Sequence, residues 1–266
     1  MLEITFLGTG AALPMYRGSN SAYLIRTDTA CILFDCGPAI LQQLDAVTVR
    51  PSELSHVFIS HRHGDHALGF PMLVLAWALE QPPDQPLPTI VTSILTWASL
   101  ETVLKHSYGD DIAVKCLQAL PRILLPHDVP AQLTLADNIQ MHTYPMNHSA
   151  FAPVLGAKFE IGATILAFTA DTMPCETIVP MAKDADLLIH EANFSAILQP
   201  ELAQGPYGHS TAQIAGRNAH AAQVKRLALV HLGSHLQGKE DIMREEAQRE
   251  FSGIVSVPVA GVTYAF

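Results

Sequence analysis

The sequence predicts an α/β fold, a four-layer αββα sandwich, and two observations carry that expectation. Short apolar runs bounded by turn residues fill the first third, and β and α elements then interleave. This order repeats roughly in two halves, which suits sheets covered by helices on their outer faces; an open parallel sheet is the competing arrangement. At 266 residues, 49% hydrophobic and 15% charged, the chain can bury a large core and is too apolar to be disordered.

Element by element, residues 2–7 read as a strand ended by Gly8-Thr9-Gly10. Residues 21–26 and 30–35 read as a hairpin joined through Thr27-Asp28-Thr29. Residues 38–46 read as a helix with a proline near its start, and 56–60 as a strand running straight into a histidine cluster. Residues 68–79 are apolar nearly all round, which predicts a buried helix. The segment 81–88 (QPPDQPLP) holds four prolines and denies both helix and central strand. It reads as a surface loop, because candidate site residues lie on both sides of it, so residues 1–266 read as a single domain. Beyond it the pattern predicts a helix at 94–106 and strands at 112–125 and 132–144. Strands at 154–161 and 163–169 follow, turning at Gly162, and then a strand at 186–190. A helix at 211–222, a strand at 226–231 and a helix near 239–251 come next, and 255–259 and 262–266 close the chain as short strands.

The formal charge of −10 argues against a chain that holds nucleic acid through its general surface, since phosphate affinity comes mainly from Lys and Arg. No basic segment precedes a long apolar run, and no window reaches membrane-spanning length, so cytoplasm is expected. The cysteines show no CxxC spacing, and Cys31 and Cys36 read as small buried hydrophobes. Thirteen histidines against four cysteines point to imidazole and carboxylate as the metal-ligand chemistry.

The strongest local signal is Ser60-His61-Arg62-His63-Gly64-Asp65-His66. A strand feeding this turn can aim His61 and His63 at one point and Asp65 and His66 at a neighbouring one, with Gly64 permitting the bend between them. Two metals need further ligands, and His148, Asp171 and His231 each follow an apolar run and precede a turn. Asp171 is a carboxylate able to bridge two ions. His142, His220 and His235 are rivals, weaker because the first two sit inside elements and the third lies past its turn. Asp35, at the end of a buried strand, reads as an acceptor for the second N–H of a ligand histidine. His209 lies just before a helix that Ser210 or Thr211 can cap, where an imidazole can meet substrate and move a proton; Glu191 is a carboxylate suited to orient it.

The run His61-Arg62-His63-Gly64-Asp65-His66, with His148, Asp171 and His231 downstream, resembles the metallo-β-lactamase superfamily over essentially the whole chain. Further pieces resemble its ribonuclease Z branch. They are Leu7-Gly8-Thr9-Gly10-Ala11-Ala12-Leu13-Pro14 with Arg17 and Asn20, Phe34-Asp35-Cys36-Gly37, His190-Glu191-Ala192-Asn193-Phe194 and Gly208-His209-Ser210-Thr211. The resemblance implies the metallo-β-lactamase fold and two divalent metal ions, zinc first and manganese or iron as alternatives. It implies His61, His63 and His148 on one ion, Asp65, His66 and His231 on the other, and Asp171 between them. It also implies Asp65 as partner of the attacking hydroxide and His209, helped by Glu191, as proton donor.

Transfer-RNA-processing members carry a long arm between the residues matching His148 and Asp171. Here those positions are 171 − 148 = 23 residues apart, with Lys158 the single basic residue between them. The expected substrate is therefore a small phosphodiester. A lactone, thioester or aryl sulfate hydrolase on the same site is the first alternative, and a transfer RNA 3′ endonuclease the second. Nucleic acid is a disfavoured partner. The loop after Pro14, the segment 82–88 and the stretch 194–208 are expected to line the substrate pocket. A homodimer is expected, with the helices at 68–79 and 94–106 as its candidate interface.

Overall fold

The structure, a computed structural model, describes residues 1–13, 19–205 and 207–266, with the side chains of 111–114 left out. Pro14 and Arg17 lie outside the described residues. The first half runs β1 (Glu3–Gly8), β2 (Ala22–Arg26), β3 (Cys31–Phe34), α1 (Ile40–Ala46), β4 (His56–Ile59), α2 (Gly64–Ala67) and α3 (Phe70–Glu80). It continues through β5 (Thr89–Ser93), α4 (Ile94–Tyr108), α5 (Asp110–Ala119) and β6 (Arg122–Leu125). The second half comprises β7 (Ala131–Ala136), β8 (Ile139–Ser149), β9 (Ala152–Ile161), β10 (Thr164–Phe168), α6 (Ile178–Ala182) and β11 (Leu187–Glu191). It ends with α7 (Ala212–Ala221), β12 (Arg226–Val230), α8 (Glu240–Gln248), β13 (Ile254–Ser256) and β14 (Thr263–Ala265).

Two seven-stranded sheets result, ordered β14-β1-β2-β3-β4-β5-β6 and β13-β12-β11-β10-β9-β8-β7. Their inner faces share one apolar core, in which Phe34 of the first sheet stacks on Phe168 of the second with centroids 4.7 Å apart. The helices α1, α3 and α4 cover the outer face of the first sheet, and α6, α7 and α8 that of the second. This is the αββα sandwich. The inner faces are held by burial, worth about 1.5–3 kcal/mol for a fully enclosed Phe or Leu side chain.

Three elements differ from the sequence expectation. Residues 112–125 are most of a helix followed by a strand, because Leu117 and Leu120, three apart, both turn onto the outer core as a helical face does. Residues 132–144 are not one strand but parts of β7 and β8, which pair Ala136 with Ile139 across the two-residue turn Asp137-Asn138. The helix α3 buries Phe70, Leu73, Val74 and Trp77, yet Met72 and Leu79 face outward, so it is not enclosed all round.

The sheets aim their strand ends at one place. In the first sheet β3 and β4 are parallel, and in the second β10, β11 and β12 are parallel. The chain direction of β8 matches β10, since each is antiparallel to β9. All of these strands therefore deliver their C-terminal ends to the same edge of the sandwich. The segment 81–88 enters β5 beside His56, where β4 begins. It sits at the opposite end of the sheet and does not line the substrate pocket as expected; Leu87 packs on the outer core instead.

Candidate metal centre

Asp35 follows β3, His61 follows β4, Asp171 follows β10, Glu191 ends β11 and His231 follows β12. Three of these exits are in the left-handed region at residues other than glycine: Asp35 (φ 62), Ala170 (φ 50) and His231 (φ 54). Such backbone costs about 1–3 kcal/mol per residue and persists only where surrounding structure over-determines it. His148 lies inside β8 rather than after a strand. A bulge between Met146 and Ser149 adds a residue to β8 there and frees Asn147 to pair with Met173, in the loop that carries Asp171.

The side chains converge on two adjacent pockets. In the first, His61 Nε2 and His148 Nε2 each lie 3.9 Å from Asp171 Oδ2, and His63 Nδ1 lies 3.1 Å from His148 Nε2. In the second, Asp65 Oδ2 is 3.3 Å from both His66 Nε2 and His231 Nε2. Asp171 Oδ1 is 3.3 Å from His66 Nε2 and 3.4 Å from His231 Nε2. Asp171 thus offers one oxygen to each group, and within each group the donor atoms all lie within 4.8 Å of one another. His142, His220 and His235 join neither group; His142 faces Glu160 and His235 faces Gln199.

The groups behind the ligands set which nitrogen faces inward. His66 Nδ1–H donates to Asp35 Oδ2 at 2.7 Å, and Ser60 donates its N–H and its hydroxyl to the same carboxylate. Since that hydroxyl proton points at Asp35, His61 Nδ1–H is the donor in its 3.0 Å contact with Ser60 Oγ. His148 Nδ1–H donates to the Gly208 carbonyl at 2.6 Å. Each ring is left with an Nε2 lone pair aimed at the pockets. Nothing in the local sequence marks the Ser60 hydroxyl or the Gly208 carbonyl as orienting groups; each simply adjoins a candidate residue, His61 or His209. Gly64 does not make a left-handed bend: it opens α2 after an extended His63, and a Cβ there would come 2.7 Å from Leu68 Cδ1.

The electrostatics ask for cations. His61 Nε2 and Asp171 Oδ1 are buried without a hydrogen-bond partner, a state that costs about 1–3 kcal/mol per group when nothing compensates it. Burial, followed by the His66 charge, pushes His61 well down, keeping it a neutral ligand. For Asp171 burial works against ionisation, but His231 and His66 hold its carboxyl well below the usual range. For His66 burial opposes the charged form, yet Asp171, Asp35 and Asp65 together push it well up. A nitrogen and oxygen donor set of this kind fits two divalent metal ions.

His209 stands beside the pockets, its ring stacked on His231 at 5.2 Å and tilted against His148 at 4.9 Å. Its Nδ1–H donates to Glu191 Oε1 at 3.0 Å. Burial would lower its pKa, but the Glu191 hydrogen bond and charge prevail and hold it at about 9. Glu191 also lies near His231, yet its oxygens already accept from the N–H groups of Thr172, Ser210 and Asn193. It is an orienting carboxylate rather than a free ligand. Helix α7 is capped by Thr211, whose side chain accepts from Ile214 N.

Comparison with known proteins agrees with this architecture. The family model of the anti-Pycsar protein Apyc1 matches residues 2–203. A ribonuclease Z from Mycobacterium avium is 30% identical over 269 residues, covering 97% of this chain and 95% of its own. A ribonuclease Z from Methanothermobacter thermautotrophicus is 27% identical over 310 residues, covering 97% and 94%. The metallo-β-lactamase fold protein YhfI from Bacillus subtilis superposes with a TM-score of 0.79 at 26% identity, covering 99% and 98%. The chain belongs to the family of the anti-Pycsar protein Apyc1 and is a metal-dependent hydrolase of the metallo-β-lactamase superfamily, close to its ribonuclease Z branch.

Proposed function

We propose that the protein is a phosphodiesterase acting on a small phosphodiester, with zinc as the first metal to test and manganese or iron next. The observation that carries this reading is the Glu191–His209 pair set against both ligand pockets. Two divalent ions held there would supply a water activated near neutral pH and would neutralise charge on the phosphoryl oxygens. The chain's own part begins with His61, His63, His148, Asp65, His66, His231 and Asp171 as ligands. Asp65, whose carboxyl burial would raise but His66 and His231 hold below the usual range, stays ionised and can orient the attacking water by accepting its hydrogen bond. His209, protonated through neutral pH, donates to the departing alkoxide, a step that contributes about 10²–10⁴-fold. Hydrolysis of a lactone, thioester or aryl sulfate is the alternative that makes less use of such a donor.

A second reading, cleavage of precursor transfer RNA, is favoured by the near end-to-end match to proteins named ribonuclease Z. Against it, the span from His148 to Asp171 is filled by β9, β10 and their tight turns, leaving no segment for an arm. The test is turnover by metal-loaded protein on small phosphodiesters, lactones, thioesters, aryl sulfates and precursor transfer RNA. Efficient phosphodiester hydrolysis that His209→Ala reduces at least 100-fold for alkyl leaving groups supports the proposal. Brisk lactone opening with phosphodiester turnover indifferent to His209 would sink it, and 3′-trailer cleavage would move the assignment to the ribonuclease. We further propose a homodimer in the cytoplasm. The outward Leu68, Met72, Ile94 and Leu95 support such a contact, and a monomeric mass by light scattering overturns it.

A further inference from the structure

Glu246 lies on α8, outside the strand ends that build the metal centre, and it is 2% exposed. Its carboxylate accepts from four donors. Oε1 takes Ala196 N at 2.8 Å and Gln213 N at 2.9 Å; Oε2 takes the Ser195 hydroxyl and Ile197 N at 3.2 Å. Three of these donors belong to the segment leaving β11, and the fourth is at the second residue of α7, where a carboxylate also meets the positive end of the helix. The two segments are the flanks of the loop that presents His209. They are also stitched by Phe194 N to Ser210 O and Ala212 N to Phe194 O, each 3.2 Å.

That loop needs an anchor. Gly205, Tyr207 and Gly208 all have positive φ, and a Cβ on Gly205 would come 2.5 Å from the His209 carbonyl. Glu191 fixes the His209 imidazole from the metal side but takes only one backbone N–H of that loop, from Ser210. The loop's other flank is held by Glu246. We infer that Glu246 is a positioning residue for the proposed hydrolysis: by clamping the end of β11 to the start of α7 it places His209 at the leaving-group oxygen. This rests on the reading of His209 as proton donor. A displacement of about 1 Å at a reacting group can cost on the order of 100-fold, so loosening this clamp is expected to act first on His209; of the ligands only His148, which leans on the Gly208 carbonyl of the same loop, is exposed to it.

The test uses metal-loaded full-length protein and two esters of the same phosphate, one with a p-nitrophenolate leaving group and one with a simple alkoxide. The first leaves without a proton and the second does not. Glu246→Gln sets an NH₂ against two of the four donors. It is expected to lower kcat on the alkyl ester by roughly tenfold or more, to change the p-nitrophenyl ester little, and to leave KM and the ion held by Asp65, His66 and His231 as in the parent. An equal loss on both esters, or no loss, overturns the inference. His209→Ala separates the two levels of the argument. If it shows the leaving-group bias and Glu246→Gln does not, the inference alone falls; if His209→Ala shows no bias, the donor reading falls and the inference with it. Should Glu246→Gln fail to fold, Ser195→Ala removes one donor and carries the same comparison, with an expected bias of about two- to tenfold; equal losses there overturn the inference too.

Discussion

In the first pocket His63 and His148 are half-buried, and the groups behind its rings are neutral: the Ser60 hydroxyl behind His61 and the Gly208 carbonyl behind His148. In the second, His66 and His231 are both buried and His66 leans on the Asp35 carboxylate. Charge-assisted hydrogen bonds are roughly twice as strong as neutral ones, and a carboxylate behind an imidazole raises its basicity toward a metal. The second pocket would therefore hold its ion more tightly, and an ion held by the first pocket would be the more open to solvent and substrate. Asp171 joins them, and Asp35 reaches both, directly to His66 and through Ser60 to His61.

The largest expected effect comes from Asp171→Ala, which removes an oxygen from each pocket. Neither ion should remain at stoichiometric loading, and turnover should fall beyond the roughly 10–100-fold typical of losing a ligand-orienting group. Retention of either ion at parental affinity, measured by elemental analysis after gel filtration, would show that the pockets are independent. Asp35→Asn is next. Asn tolerates the φ of 62, so charge is lost without a backbone penalty. The second-pocket ion should weaken by about 10–100-fold and the first by less, read by chelator competition; the reverse order would invert the comparison. Of the two pockets, Gly208→Ala should act on the first. Its φ is 84 and a Cβ would come 2.6 Å from His148 Nδ1. Strain of about 1–3 kcal/mol implies a loss of the order of tenfold in first-ion affinity.

The smallest effect is a pH trend in metal-free protein. His209 has a folded pKa of about 9, above its unfolded value of about 6.5. Its contribution to stability is therefore complete below pH 6.5 and is lost as pH rises through 9; His66, also raised, adds to the same trend. Asp65 and Asp171, both lowered, lose theirs only on acidification below the usual carboxylate range. Tm should fall between pH 6.5 and 9.5, and His209→Gln should flatten that slope. A Tm rising over the same interval would contradict the assigned hydrogen bond to Glu191.

Most of the pockets was legible in the chain, because a ligand at a strand exit has a local signature: an apolar run, then His or Asp, then a turn. His61, His63, Asp65 and His66 share one such exit, and Asp171 and His231 each have their own. The same logic misplaced His148, since a bulge inside β8 leaves no turn residue to mark it. It merged β7 with β8 because Asp137-Asn138 is a turn without glycine. It read 112–125 as a strand because helical spacing and short apolar runs overlap at that length. The orienting shell was legible only where a carboxylate stood at a strand end, as at Asp35 and Glu191. A hydroxyl such as Ser60, a carbonyl such as that of Gly208 and the distant carboxylate of Glu246 act through tertiary placement, which no local pattern encodes.

The most direct test of two unequal pockets sharing one carboxylate is a graded chelator titration of metal-loaded protein, followed by native mass spectrometry. The expected result is two ions per chain released in two steps, with Asp35→Asn merging the steps by weakening the later one. A single ion per chain, or two ions leaving together in the parent and unaffected by Asp35→Asn, would contradict it.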